Sequence, residues 1–202
     1  MVTINKRQFI GGSAALIAAP SAALGQDAPK VVEMSMGNPE AGVTVIEYAS
    51  LTCPHCASFH ARTWPELKAN YVETGKINFI FREVYFDRVG LWAAALARCG
   101  GPERYFGIID ILFKKQSDWS RKEDPAQIVE ALYAIGRQAG LDNDAMQACL
   151  QDREMLQAMV AVFKETTEAD GVNSTPSFII NGEKAGNMSY EDFAKRLDGL
   201  LG

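Results

Sequence analysis

Histidine is nearly absent from this chain, with two residues in 202, and cysteine is sparse at four. Zinc takes about four ligands, usually from a second cysteine or histidine pair. Here Cys53 and Cys56 are the only close pair, Cys99 and Cys149 stand far apart, and His60 is the one histidine outside that pair. A metal site is therefore not expected. Positive charge is also in deficit: 20 Lys and Arg against 25 Asp and Glu leave a net charge of −5, where a nucleic-acid binder would show a basic face. No apolar run reaches the roughly 20 residues of a membrane span, and low-complexity tracts and repeats are missing. What remains is an ordinary globular composition, 48% hydrophobic and 22% charged, able to bury a core as one domain with or without a large insertion.

The first residues read as an export signal, residues 1–25. Lys6 and Arg7 start it, Phe9 to Ala19 is mostly apolar, Pro20 breaks the run, and Ala23-Leu24-Gly25 offers small residues for cleavage after Gly25. "NKRQFIGG" is also near a twin-arginine signal, so the export route stays open. Export places the four cysteines in an oxidising compartment, where an even number is expected to pair.

Val43 to Tyr48 is β-branched and apolar, a buried strand. Pro54 suits a helix's first position, so a helix begins at the cysteines. Trp64-Pro65 predicts a kink or a two-piece helix ending near Tyr71, and Ile77 to Phe81 a second, parallel strand. From residue 87 to residue 169 the pattern is helical. Leu91 to Ala97 precedes a break at Gly100-Gly101-Pro102, and Tyr105 to Lys115 is followed by a loop through Trp119. Further helices open at Asp124-Pro125, at Asp142 or Asp144, and at Glu154. Ser177 to Ile180 is a strand again, Asn181-Gly182 a turn, and Tyr190 to Leu201 a closing helix begun by Ser189. The expected fold is α/β: a core in two parts, 26–86 and 170–202, split by an all-helical insertion, 87–169.

A pair of cysteines two residues apart has three physical uses. Zinc is excluded above, and a structural bridge over so short a loop constrains little of the unfolded chain. Thiol–disulfide exchange is the third: at a helix start, unpaired N–H groups and the positive dipole end stabilise a thiolate. That use fits every local feature of "LTCPHCASFH".

Strand, "CPHC", kinked helix, strand, helical insertion, "NSTPSFIING" and a final helix together resemble the DsbA branch of the thioredoxin-like proteins, from about Val31 to the end. The resemblance implies that Cys53 is the reactive sulfur, the more exposed of the two, and Cys56 the buried resolving one, with Pro54 and His55 between them tuning the redox poise. It implies a cis Pro176, with the Thr175 backbone binding substrate; the best-known oxidases of the branch are expected to carry valine in place of Thr175, and isomerase-type relatives threonine. Glu47 falls where the family places a buried acid that assists the proton of the resolving thiol. Lys76 is a weak candidate for its charge partner, and His60 reads as a helix-surface or packing residue. Cys99 and Cys149, if bridged, are expected to act as a stabilising crosslink rather than a second redox switch.

No cofactor is implied. The expected activity is an exported, periplasmic, monomeric oxidase that introduces disulfides into newly translocated proteins carrying free thiols, and that is reoxidised by a quinone-linked membrane partner of the DsbB type. Two other readings stand beside it: a reductase or isomerase on the same scaffold, for which Gln26 to Gly42 is too short to hold a dimerisation segment, and a binding module for unfolded chains without redox chemistry.

Overall fold

The structure, a computed structural model, describes residues 29–202; the expected signal peptide lies outside them. Five strands form one sheet in the order β1-β3-β2-β4-β5. The strands are β1 (Met34–Gly37), β2 (Thr44–Ala49), β3 (Asn78–Glu83), β4 (Ser177–Ile180) and β5 (Glu183–Ala185). At the centre, β2 runs parallel to β3 and antiparallel to β4. β1 and β5 close the edges, each antiparallel to its neighbour.

Strand alternation sorts β2 between two cores. Val45 and Ala49 face one layer with Phe79, Phe81, Phe178 and Ile180, while Tyr48 packs with Val84 and Ile179 on the other. Glu47 shares the parity of Val45 and Ala49, which aims an acid into the larger core. That core is roofed by α1 (Pro54–Arg62) and α9 (Tyr190–Leu201). Phe59 of α1, Phe178 of β4 and Phe193 of α9 meet there with ring centroids 4.8–5.8 Å apart.

The helix after the cysteines is broken as its proline dictates. α1 stops at Arg62, α2 (Trp64–Leu67) restarts with Pro65 in its first turn, and a π-helical turn, Lys68–Val72, ends the segment. Six helices then separate β3 from β4: α3 (Arg88–Cys99), α4 (Gly101–Lys114), α5 (Gln116–Ser120), α6 (Pro125–Gln138), α7 (Asn143–Gln151) and α8 (Arg153–Ala169). Asp87, Asp124, Asp142 and Asp152 cap four of these by accepting backbone N–H bonds. The expected loop through Trp119 is instead α5, and it carries a residue of the site. β1 and β5 went unread because neither carries a β-branched run. None of the described helices is long and apolar enough to cross a membrane.

Cys99 at the end of α3 is bonded to Cys149 in α7 across 50 residues. In the chain-entropy account such a loop contributes about 4 kcal/mol. Replacing both with alanine is expected to lower the unfolding free energy by up to that amount, measured by urea denaturation, with a steeper slope because the unlinked chain unfolds to a more expanded state.

Candidate active site

Cys53 is the N-cap of α1, with extended backbone (φ −81°, ψ 120°), and Pro54 follows as the first helical residue. The cap places Cys53 at the surface end of the helix and Cys56 one turn inside it. The two sulfurs consequently differ in exposure: Cys53 retains 9% and Cys56 none. Both are free thiols.

The difference sets their acidity in opposite directions. The Cys53 thiol is lowered to about 5, first by the Cys56 thiol donating to its sulfur. Burial opposes this; the Thr175 side chain and the backbone N–H groups of Cys56 and His55 add to it. The helix start named from sequence thus contributes, but the neighbouring S–H contributes more. Cys56 is pushed far up, by loss of water above all, then by the negative Cys53 sulfur and by Glu47. The result is a thiolate outside and a protonated thiol inside.

Across from the cysteines, the Thr175–Pro176 peptide bond is cis. Cys53 Sγ lies 3.6 Å from the Thr175 carbonyl oxygen, to which its thiol form donates. The Thr175 hydroxyl is buried without a conventional hydrogen-bond partner among the described residues, and it favours the thiolate at both sulfurs. Pro54 and His55 are exposed beside the pair.

Glu47 is fully buried, and its partner is not Lys76. Lys76 rests its ammonium 5.1 Å over the Tyr71 ring. Instead both carboxylate oxygens of Glu47 lie 3.1 Å from His60 Nε2. His60 is no surface residue: it is 8% exposed and stacked on Phe113 at 4.0 Å, with Phe81 and Phe59 edge-on. Helical spacing carries the reason, since His60 lies four residues beyond Cys56 on the same face of α1. Its burial opposite an acid was legible only once strand and helix were superposed.

Gln116 was missed altogether. It is buried at the start of α5, and its Nε2 donates to the carbonyls of Leu51 (2.8 Å) and Cys53 (3.0 Å). The helical segment therefore holds the backbone on which Cys53 sits. On the other side, Asp87 accepts from Thr52 Oγ1 and caps α3 through Gly90 N–H, so the same loop is tied to a second helix.

Two outcomes are expected. Gln116→Leu strands the Leu51 carbonyl, while that of Cys53 keeps the Ala57 N–H, and should lower the unfolding free energy by about 1–3 kcal/mol, measured by urea denaturation. In the reduced protein, thiolate absorbance should titrate with a midpoint of about 5, from Cys53. Because that value lies below the roughly 8.5 of an unfolded thiol, the thiolate's stabilisation is complete above about pH 8.5. It is lost as pH falls through about 5, a slope that the oxidised protein lacks.

A family model described as Thioredoxin matches residues 30–199. A Rickettsia bellii protein named as a protein-disulfide oxidoreductase is 35% identical over 82% of this chain and 63% of its own length. This chain thus spans about three fifths of the Rickettsia relatives it matches. Disulfide bond formation protein D of Bacillus subtilis is 23% identical over 79% of this chain and 72% of that protein. Among solved structures, Wolbachia pipientis alpha-DsbA1 superposes with a TM-score of 0.79 at 30% identity, covering 86% of this chain and 92% of that one. With its sulfur pair at a helix start beside a cis proline, the chain belongs to the thioredoxin family, on the branch of the DsbA-like protein-disulfide oxidoreductases.

Proposed function

We propose that this protein is an exported oxidase that introduces disulfide bonds into newly translocated proteins by exchange through Cys53 and Cys56. One observation carries the reading: an outer sulfur lowered to about 5 beside an inner sulfur with no exposure. A substrate thiolate attacks Cys53, the less buried sulfur of the oxidised pair, and expels Cys56, which takes up a proton. A second substrate thiolate then attacks the mixed disulfide on the substrate's own sulfur and releases Cys53 as thiolate. The substrate loses two electrons, and the enzyme's disulfide gains them. A thiolate that is stable when released favours the reduced enzyme, which makes the disulfide a stronger oxidant, by about 1.4 kcal/mol per pKa unit.

Pro54 and His55 flank the leaving sulfur on the exposed rim, where they shape what approaches it. Thr175 and Pro176 form the opposite wall, and the Thr175 backbone is placed to pair with an extended substrate segment. Glu47 handles the proton of Cys56. The compartment is the periplasm, with residues 1–25 removed, and the protein acts as a monomer. The substrates are unfolded or partly folded secreted proteins with free thiols, and the pair is restored by a quinone-linked membrane oxidant of the DsbB type. In this reading residues 87–169 are an insertion into a thioredoxin-like unit, and Cys99–Cys149 is a structural crosslink. Thr175, expected in isomerase-type relatives, is what favours the alternative of an isomerase or reductase.

Equilibration with reduced and oxidised glutathione decides between them. With Cys99 and Cys149 replaced by alanine so that one couple is read, a potential above roughly −150 mV is expected. A value near about −270 mV, that of thioredoxin, would send electrons the other way and replace the oxidase with a reductase.

A further inference from the structure

Cys56 has no contact with solvent, yet it must lose a proton each time it attacks and gain one each time it is expelled. Glu47, the acid that acts on it, is just as buried. A buried carboxylate is a useful relay only if its own proton has somewhere to go. His60 Nε2 lies against both of its oxygens, and the other ring nitrogen, Nδ1, is buried with no hydrogen-bond partner among the described residues. Such an orphaned nitrogen is uncommon. His60 also lines a groove of about 900 Å³ between α1 and α2 on one side and α4 and α5 on the other.

We propose that Glu47 and His60 carry the Cys56 proton between the buried thiol and water in this groove, with His60 Nδ1 as its mouth. The proposal rests on Cys56 being the resolving sulfur. When Cys56 is expelled as thiolate, one proton enters at Nδ1, the Nε2 proton passes to Glu47, and Glu47 passes one to the sulfur. When Cys56 attacks a mixed disulfide on Cys53, its proton goes to Glu47, then to Nε2, and the Nδ1 proton leaves to the groove. The Cys56–Cys53 bond forms and the mixed partner departs as thiolate. One proton in and one out returns the imidazole to its starting tautomer, so the pair is unchanged over a full cycle.

The surroundings leave His60 as the conduit. Phe113 of α4 stacks on the ring, and Phe81 of β3 and Phe59 of α1 meet it edge-on. Among the charged groups of the groove, Asp110 of α4 is engaged by Trp64 Nε1 and Lys68 Nζ. Lys114 and Arg121 are cations on the rim and disfavour an accumulated proton, which speeds its departure.

The test uses the reduced protein mixed with oxidised glutathione, quenched with acid and resolved by mass. Formation of the Cys53–glutathione adduct reports the outer sulfur; its conversion to the Cys53–Cys56 disulfide reports deprotonation of the inner one. His60→Gln retains an N–H donor for Glu47 but cannot relay. It is expected to form the adduct within twofold of the wild-type rate and to convert it about 100-fold more slowly. In His60→Ala, free imidazole, small enough for the groove, should restore most of the conversion. Conversion at the wild-type rate in both variants, equal slowing of both steps, or slowing that imidazole leaves untouched would each overturn the relay. Absence of any Cys53 adduct in the wild type would instead sink the assignment of the outer sulfur, and the relay with it.

Discussion

A single thiol hydrogen, donated by Cys56 to the sulfur of Cys53, is the interaction on which the rest of the site depends. It is the largest of the contributions that hold the outer sulfur as thiolate, and it exists only because the inner sulfur is too dry to ionise. Both conditions follow from one helix turn. Cys53 caps α1 and keeps some exposure, and three residues later Cys56 has none. Moving the pair by one position in either direction would put the inner sulfur at a less buried place, that of His55 or Ala57. Either change would wet the inner sulfur and weaken the inequality between the two thiols.

That geometry needs a rigid backbone, and the chain supplies it from a distance. The loop Ser50–Thr52 carries no regular hydrogen bonds of its own to a strand, so its carbonyls must be satisfied elsewhere. Gln116, more than sixty positions away, takes that of Leu51 and shares that of Cys53 just beyond the loop, and Asp87 holds the other flank. The six helices between β3 and β4 are thus part of how Cys53 is positioned, and not merely an appendage to the sheet.

The main elements were legible because their signals are local. A proline at a helix start, the aspartate caps at Asp124 and Asp142, and β-branched runs in β2 and β4 each act within a few residues. What escaped the sequence was pairing across elements. Glu47 stood out as an acid in an apolar strand, but its partner was sought in charge, at Lys76, when the core supplied an imidazole from the adjacent helix. Gln116 lay in a stretch with no periodicity, and a short helix with a buried amide looks like a loop when only composition is seen. Edge strands β1 and β5 derive their structure from neighbours, and their own residues are indifferent. The disulfide between Cys99 and Cys149 could be named as a pair but not placed, since α3 and α7 meet only in the folded chain.

The covalent link between α3 and α7 has a further effect on how the molecule fails. Helices α4, α5 and α6, Gln116 among them, lie inside the closed loop of 50 residues. A protease that severs one peptide bond within that loop leaves a single covalent molecule, with both fragments still held where the fold put them. Tension applied to the chain ends likewise bypasses the loop through the sulfur bridge, hiding about 170 Å of contour from extension. The part of the chain that holds the backbone at Cys53 is therefore also the part that stays attached after a single cut and that pulling does not reach.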